Sequence, residues 1–235
     1  VYMSCNPDVK WYEGGMNQLN PTANASGPPC AGLRIGDLAP DFEARSTAGP
    51  VRLSGFRGRW LVLFSHPADF TPVCTTEFVA LAKEAAAFEK RDCALMALSV
   101  DSLFSHFAWL RMIRDRFGVE VRFPIVEDPT LVIGRAFGMV SAQDSDSATV
   151  RTTFFIDPKG VIRAMTCYPA NLGRSVPEML RIIDGLQAID AKGGLAPANW
   201  QPGEAMLTPP THDLDEIFGS EDAVSWFLRD SGVQG

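Results

Sequence analysis

Cys74 stands three residues after Thr71 and seven after Pro67, in the run His66-Pro67-Ala68-Asp69-Phe70-Thr71-Pro72-Val73-Cys74-Thr75-Thr76-Glu77. The residues before the run, 60–64, are a short apolar stretch with the pattern of a buried strand. The residues after it, 74–90, carry Phe78, Leu81, Ala82, Ala85 and Phe88 at helical spacing, which predicts an amphipathic helix. Cys74 therefore falls in a first helical turn. Backbone N–H groups there lack intrahelical acceptors, and the helix dipole places partial positive charge beside the sulfur. A cysteine so placed is a better nucleophile than a free one. Thr71 can turn its hydroxyl into the same small space, or cap the helix. Pro67 and Pro72 stiffen the loop. Donors fixed beside a leaving atom stabilise a displacement more in its transition state than in its ground state.

Other elements must hold that turn in place. Residues 94–100 read as the next buried strand and 103–117 as a second helix, with Asp101 or Ser102 as its N-cap and Gly118 as its end. A short strand is expected at 123–126 and a short helix at 131–137, closed by Gly138. Two strands at 152–156 and 161–165 flank Asp157-Pro158-Lys159-Gly160, a strong turn signal. A third long helix is expected at 176–191, with Ser175 as N-cap and Pro177 in its first turn. This order predicts an α/β fold with a central mixed β-sheet flanked by helices. Residues 1–34 form an irregular N-terminal extension rich in Asn, Pro and Gly, in which Trp11, Tyr12 and Met16 could pack on the body. Residues 35–193 form the central domain. Residues 194–235, with Pro197, Pro202, Pro209 and Pro210, form a C-terminal arm with a short helix expected at 220–229.

Composition narrows the function. Apolar residues make up 46% of the 235 and charged residues 21%, as in a soluble globular protein. A net charge of −7 with no basic run argues against nucleic acid and anionic membrane surfaces as partners. No apolar stretch is long enough to span a bilayer, and no basic segment followed by an apolar run opens the chain, so the default expectation is a cytoplasmic protein. The five cysteines, Cys5, Cys30, Cys74, Cys93 and Cys167, are widely spaced with no C-x-x-C. Neither a zinc site nor a dithiol redox pair is signalled, and no cofactor or metal is expected. His106 and His212 read as isolated, and the three histidines have no ligand-like spacing.

Pro67, Thr71 and Cys74 match the P-x-x-x-T-x-x-C signature, and with the flanking residues the segment resembles the 1-Cys, peroxiredoxin-6-type branch of the peroxiredoxins. Gly36-Asp37-x-Ala39-Pro40-Asp41-Phe42 is similar to the opening motif of that family, Asp157-Pro158-x-Gly160 to its expected turn, and Tyr168-Pro169 and Gly173-Arg174 to further segments. The resemblance runs from Leu33 to Arg229. It implies a thioredoxin-like fold with Thr71 where a thioredoxin carries its first active-site cysteine. It implies a thiol peroxidase in which Cys74 attacks hydrogen peroxide or an organic hydroperoxide and becomes a sulfenic acid. Arg151 stands where the family carries an arginine that binds the thiolate and peroxide. Arg174 and Glu77 are expected to support Arg151, and His66 to serve structurally beside the site.

No cysteine follows Cys167, so the resolving cysteine of the 2-Cys branch has no counterpart here. An external thiol or other reductant is then required. Cys5, Cys30 and Cys167 are weighed as substitutes, with packing favoured for Cys167 and for Cys93. The resemblance also implies a homodimer or a ring of dimers. Gly58-Arg59 ahead of Trp60, and Leu53, replace the serine and histidine of the lipase site found in some relatives, so that activity is not expected. A peroxide sensor or a holdase chaperone on the same fold is the alternative. A dithiol oxidoreductase would need a cysteine at Thr71.

Overall fold

The computed structural model describes residues 18–19, 32–140, 149–220 and 222–234. In chain order its elements are β1 (Gln18–Leu19), β2 (Phe42–Ser46), β3 (Gly49–Arg52), β4 (Trp60–Ser65), α1 (Pro72–Glu89), β5 (Cys93–Ser99), α2 (Leu103–Phe117), β6 (Ile125–Glu127), α3 (Val132–Ala136), β7 (Arg151–Ile156), β8 (Ile162–Tyr168), α4 (Val176–Lys192), β9 (Ala205–Leu207), α5 (Leu214–Phe218) and β10 (Asp230–Gln234). One eight-stranded sheet runs β1-β2-β6-β5-β4-β7-β8, with β3 hairpinned onto β2. Strands β4, β5 and β6 are parallel, whereas β7 and β8 are antiparallel neighbours. The sheet is mixed, as expected.

Strands β4 and β5 are buried along their whole length. Sheet strands covered on both faces read as unbroken apolar runs, which is why they were legible. One face packs Val62, Phe64, Leu95 and Phe155 against Phe78 and Phe88 of α1, Trp109 and Ile113 of α2, and Ile183 of α4. The other packs Leu61, Leu63, Met96 and Phe154 against Phe42, Ile133 and Phe137. Each such side chain contributes about 2 kcal/mol by leaving water. The site helix α1 is thereby clamped between the sheet and two other helices.

Helix α2 has the expected bounds, with the Ser102 side chain accepting from Ser105 N–H and Gly118 closing it in the left-handed region. Helix α4 is capped by Ser175 and closed by Gly193 in the same way. Helix α1 begins two residues earlier than the apolar period suggests, because Pro72 takes the first turn, where its missing N–H costs nothing.

One expectation fails, and one hairpin is added. The β2–β3 hairpin was not foreseen, although β2 alternates buried and exposed residues along its length. No helix forms at 220–229 among the described residues. There Asp222 Oδ1 accepts from the N–H groups of both Val224 and Ser225, and a single turn ends with Leu228 N–H on Val224 O. The chain then enters β10, which pairs antiparallel with β9. The helix of the arm is α5 instead, started by Asp213, whose carboxylate accepts from the N–H groups of Asp215 and Glu216.

Candidate functional site

Cys74 is wholly buried, on the third residue of α1. Arg151, the first residue of β7, reaches it from the sheet. Its Nη1 donates to Cys74 Sγ at 3.2 Å and to Glu77 Oε2 at 2.7 Å. Its Nε and Nη2 donate to the carbonyl of Ala170, at 3.1 and 2.8 Å. The guanidinium is thus fixed in position and orientation by four bonds before any substrate arrives. Glu77 lies one turn after Cys74, so the helix presents sulfur and carboxylate on one face.

Arg174 closes the group. Its backbone N–H donates to Glu77 Oε1 at 2.8 Å, its Nη2 donates to the Ser65 carbonyl, and its guanidinium lies 5.1 Å from the centre of the Phe64 ring. Burial pulls its pKa down to about 10, against the pull of Glu77. The side chains of Arg151, Arg174 and Glu77 are only 2–3% exposed. Two buried cations face one carboxylate, which leaves one positive charge that an anionic sulfur would balance.

Thr71 occupies the N-cap of α1 but makes no side-chain capping bond. Its hydroxyl donates instead to the Ala68 carbonyl at 2.8 Å. With its proton committed to Ala68, Oγ1 has its lone pairs left to offer as an acceptor. Pro67 is buried under the same loop. Of the seven residues named from sequence, Cys74, Arg151, Glu77 and Arg174 form one bonded cluster, while Thr71 and Pro67 lie in the loop that leads into α1 and His66 stands at that loop's start, bonded to Asp69.

His66 has a partner that sequence reading missed. Its Nε2 lies 3.0 Å from Asp69 Oδ1, and His106 Nδ1 lies 2.7 Å from Asp69 Oδ2. His106 is therefore not isolated. Burial opposes charge on Asp69, but the hydrogen bonds from His106 and His66 outweigh it and hold the carboxyl at about 2. Burial drives His66 below its ordinary value despite the Asp69 bond. A buried aspartate three residues after a histidine was the only local signal. The His106 contact crosses 37 positions of sequence.

The other cysteines differ. Cys93 begins β5, is buried, and has its thiol pushed up to about 12 by burial. Cys167 is exposed, which corrects the expectation that it packs. It pairs with Thr152 across β7–β8, one position along from Arg151, and so lies on the opposite sheet face from the Cys74 cluster. Cys5 and Cys30 lie outside the described residues.

Residues 35–165 match the AhpC/TSA family, and residues 185–218 match the C-terminal domain of 1-Cys peroxiredoxin. A peroxiredoxin of Aquifex aeolicus is 51% identical over 72% of this chain and 77% of its own length. Peroxiredoxin 2 of Caldanaerobacter subterraneus subsp. tengcongensis is 48% identical over 78% of this chain and 83% of its own length. Among solved structures, the yeast mitochondrial 1-Cys peroxiredoxin, described with a thiol resolving mechanism via glutathione/thioredoxin systems, superposes with a TM-score of 0.76 at 41% identity. That match covers 84% of this chain and 98% of the other. A cysteine-to-serine mutant of peroxiredoxin 6 from Arenicola marina gives a TM-score of 0.72 at 36% identity, covering 79% and 88%. The fold is thioredoxin-like.

Proposed function

The chain belongs to the peroxiredoxin family, in its 1-Cys branch, and from that premise we propose that Cys74 is the sulfur that attacks peroxide, with Arg151, Thr71 and Pro67 shaping its surroundings. The protein is a thiol peroxidase. The observation that carries the residue assignment is the Arg151 guanidinium, bonded at once to Cys74 Sγ and Glu77 and locked onto Ala170 O.

In this reading the Cys74 sulfur anion attacks the near oxygen of the peroxide. A sulfur–oxygen bond forms as the oxygen–oxygen bond breaks, and the far oxygen leaves as water or alcohol once protonated. The Arg151 N–H groups stabilise charge spread over sulfur and the peroxide oxygens. Thr71 Oγ1, a pure acceptor here, holds the hydroxyl hydrogen of the peroxide and so orients the bond that breaks. Glu77 and Arg174 hold Arg151 in place. The product is Cys74 sulfenic acid.

A thiol reductant completes the cycle. We assign it to an external thiol. Cys93 is buried with a thiol too weakly acidic to attack, and Cys167 lies on the far side of the sheet. The glutathione and thioredoxin systems that serve the yeast relative are the first donors to test. The same reading takes 35–193 as the catalytic domain and 194–235 as an arm. It places the protein in the cytoplasm as a homodimer or a ring of dimers. The exposed Leu214, Phe218, Phe227 and Leu228 of the arm suit a subunit contact.

Turnover separates the enzyme from the sensor or holdase. Peroxide consumption is followed with glutathione, with a thioredoxin and its reductase, and with dithiothreitol. Many turnovers per Cys74 with at least one donor are expected. A single stoichiometric burst with every donor would favour the sensor.

A further inference from the structure

The buried His66–Asp69–His106 group takes no part in the displacement above, yet it fills the space behind the loop that carries Thr71. We propose that Asp69, braced by His66 and His106, is a positioning residue that holds Phe70 in its left-handed backbone and thereby sets Thr71 and Cys74. The proposal rests on the peroxidase reading of this site.

Phe70 has φ +56°. That region puts Cβ against the following carbonyl and is disfavoured for a residue with a bulky side chain. The Phe70 ring does not compensate, because it is 56% exposed. The strain must be held by the neighbours, and Asp69 next to it is held at three points. Its two carboxylate oxygens take one bond each from His66 and His106, and its backbone N–H donates to Asp101 Oδ2 at 2.7 Å. Strained backbone of this kind persists only where the surroundings over-determine it.

The brace is itself anchored to the sheet. His66 N–H donates to Leu98 O at 3.0 Å, and His66 O accepts from Thr149 Oγ1 at 2.9 Å. Its ring stacks on Trp109 at 5.4 Å and meets the edge of Phe78 at 4.9 Å. Trp109 Nε1 in turn donates to Thr75 Oγ1, in the residue after Cys74. The loop and the first turn of α1 are therefore tied to one cluster.

The chemistry of the cluster fixes its protons. An ionised carboxylate accepts only, so each histidine must present an N–H to it. His66 then carries its proton on Nε2 and His106 on Nδ1. The remaining nitrogens, His66 Nδ1 and His106 Nε2, are buried without a hydrogen-bond partner among the described residues. A second proton on His66 would leave a dry, unpaired donor, and burial likewise disfavours the charged ring. The three groups also lie within 4.8 Å of one another, as metal ligands do. The 2.7 and 3.0 Å separations are those of hydrogen bonds, and they leave each carboxylate oxygen satisfied.

The test uses His106→Leu, which removes the donor, His106→Asn, whose amide nitrogen replaces Nδ1, and Asp69→Asn. Two quantities are read on the full chain: the second-order rate of Cys74 oxidation by hydrogen peroxide, and the ring-nitrogen NMR spectrum of histidine-labelled protein at pH 7. In the wild type, His66 is expected as the Nε2–H tautomer. His106→Leu and Asp69→Asn lose about 10- to 100-fold in rate, the cost of a misplaced reacting group. His106→Asn restores the rate. Equal rates in His106→Leu and His106→Asn, a proton on His66 Nδ1, or ring shifts on adding zinc chloride would each overturn the proposal. Should His106→Leu not fold, the comparison of Asp69→Asn with His106→Asn decides. A wild type that reacts no faster than free cysteine would sink the peroxidase reading itself, and the tautomer spectrum would then judge the brace alone.

Discussion

Cys74 and Cys93 are both buried cysteines at the start of a regular element, on the same face of the same sheet, and they are opposites. Cys74 has Arg151 Nη1 at 3.2 Å and a cluster with a surplus positive charge around it. Cys93 has a weak contact to the Ala94 carbonyl at 3.6 Å, and burial pushes its thiol to about 12, outweighing the pull of Arg59 and of a backbone hydrogen bond at Val62. Burial alone therefore makes a cysteine inert. Burial with a fixed cation, at the start of a helix, is the setting of the sulfur proposed to attack peroxide.

The largest effects break the comparison at the sulfur and at the cation. Cys74→Ser is expected to abolish peroxide consumption, and Cys93→Ser to leave it unchanged, both measured with an excess of thiol donor. Arg151→Gln removes the cation while keeping a donor, and should lower the oxidation rate by about 10²- to 10³-fold, the range for loss of one preorganised donor. Arg151→Lys should not rescue it, since a point charge cannot bond Cys74, Glu77 and Ala170 O together.

A smaller effect sharpens the contrast. Thr71→Val keeps the shape but loses the acceptor that orients the peroxide, and a fall of about tenfold in the same rate is expected.

Acid tests the brace that holds the Cys74 turn and that Cys93 lacks. The Asp69 carboxyl is depressed from 3.8 to about 2, so its contribution is present above pH 3.8 and lost as pH falls towards 2. That drop is worth roughly 2 kcal/mol. His66 is depressed below 6.5, so the unfolded chain takes up a proton first as pH falls through 6.5, and stability declines there too. Urea midpoints should therefore fall from pH 7 to pH 5, and this decline should shrink in His66→Gln. A midpoint that rises on acidification would contradict the sign. The smallest effect concerns the thiols that the mechanism does not use. In native protein at pH 8, iodoacetamide should label the exposed Cys167 and leave Cys93 untouched, as read by peptide mass.

Much of this was legible in sequence where chemistry is local. Thr71, Cys74 and Glu77 share one helical turn and its loop, and the unbroken apolar runs of β4 and β5 announce central strands. Arg151 was placed only through resemblance, because nothing within its own strand says that it points at a sulfur 77 positions away. The Asp69–His106 bond was missed for the same reason. The hairpin of β2 and β3 was not legible because β2 is only five residues long and β3, four residues with a Gly and a Pro, does not alternate at all. The helix expected at 220–229 does not form, although Val224, Phe227 and Leu228 stand at helical spacing. Val224, Phe227 and Leu228 stay exposed, and the Asp222 turn and the pairing of β10 with β9 take the backbone elsewhere.

The most direct test of the central claim mixes reduced protein with one equivalent of hydrogen peroxide in a stopped-flow instrument, with dimedone present and intact mass as the second readout. Fast, second-order loss of peroxide is expected, with one dimedone adduct per chain, located on Cys74 and absent in Cys74→Ser and, on the same timescale, in Arg151→Gln. A reaction no faster than that of free cysteine, or an adduct on Cys93 or Cys167 instead, would contradict it.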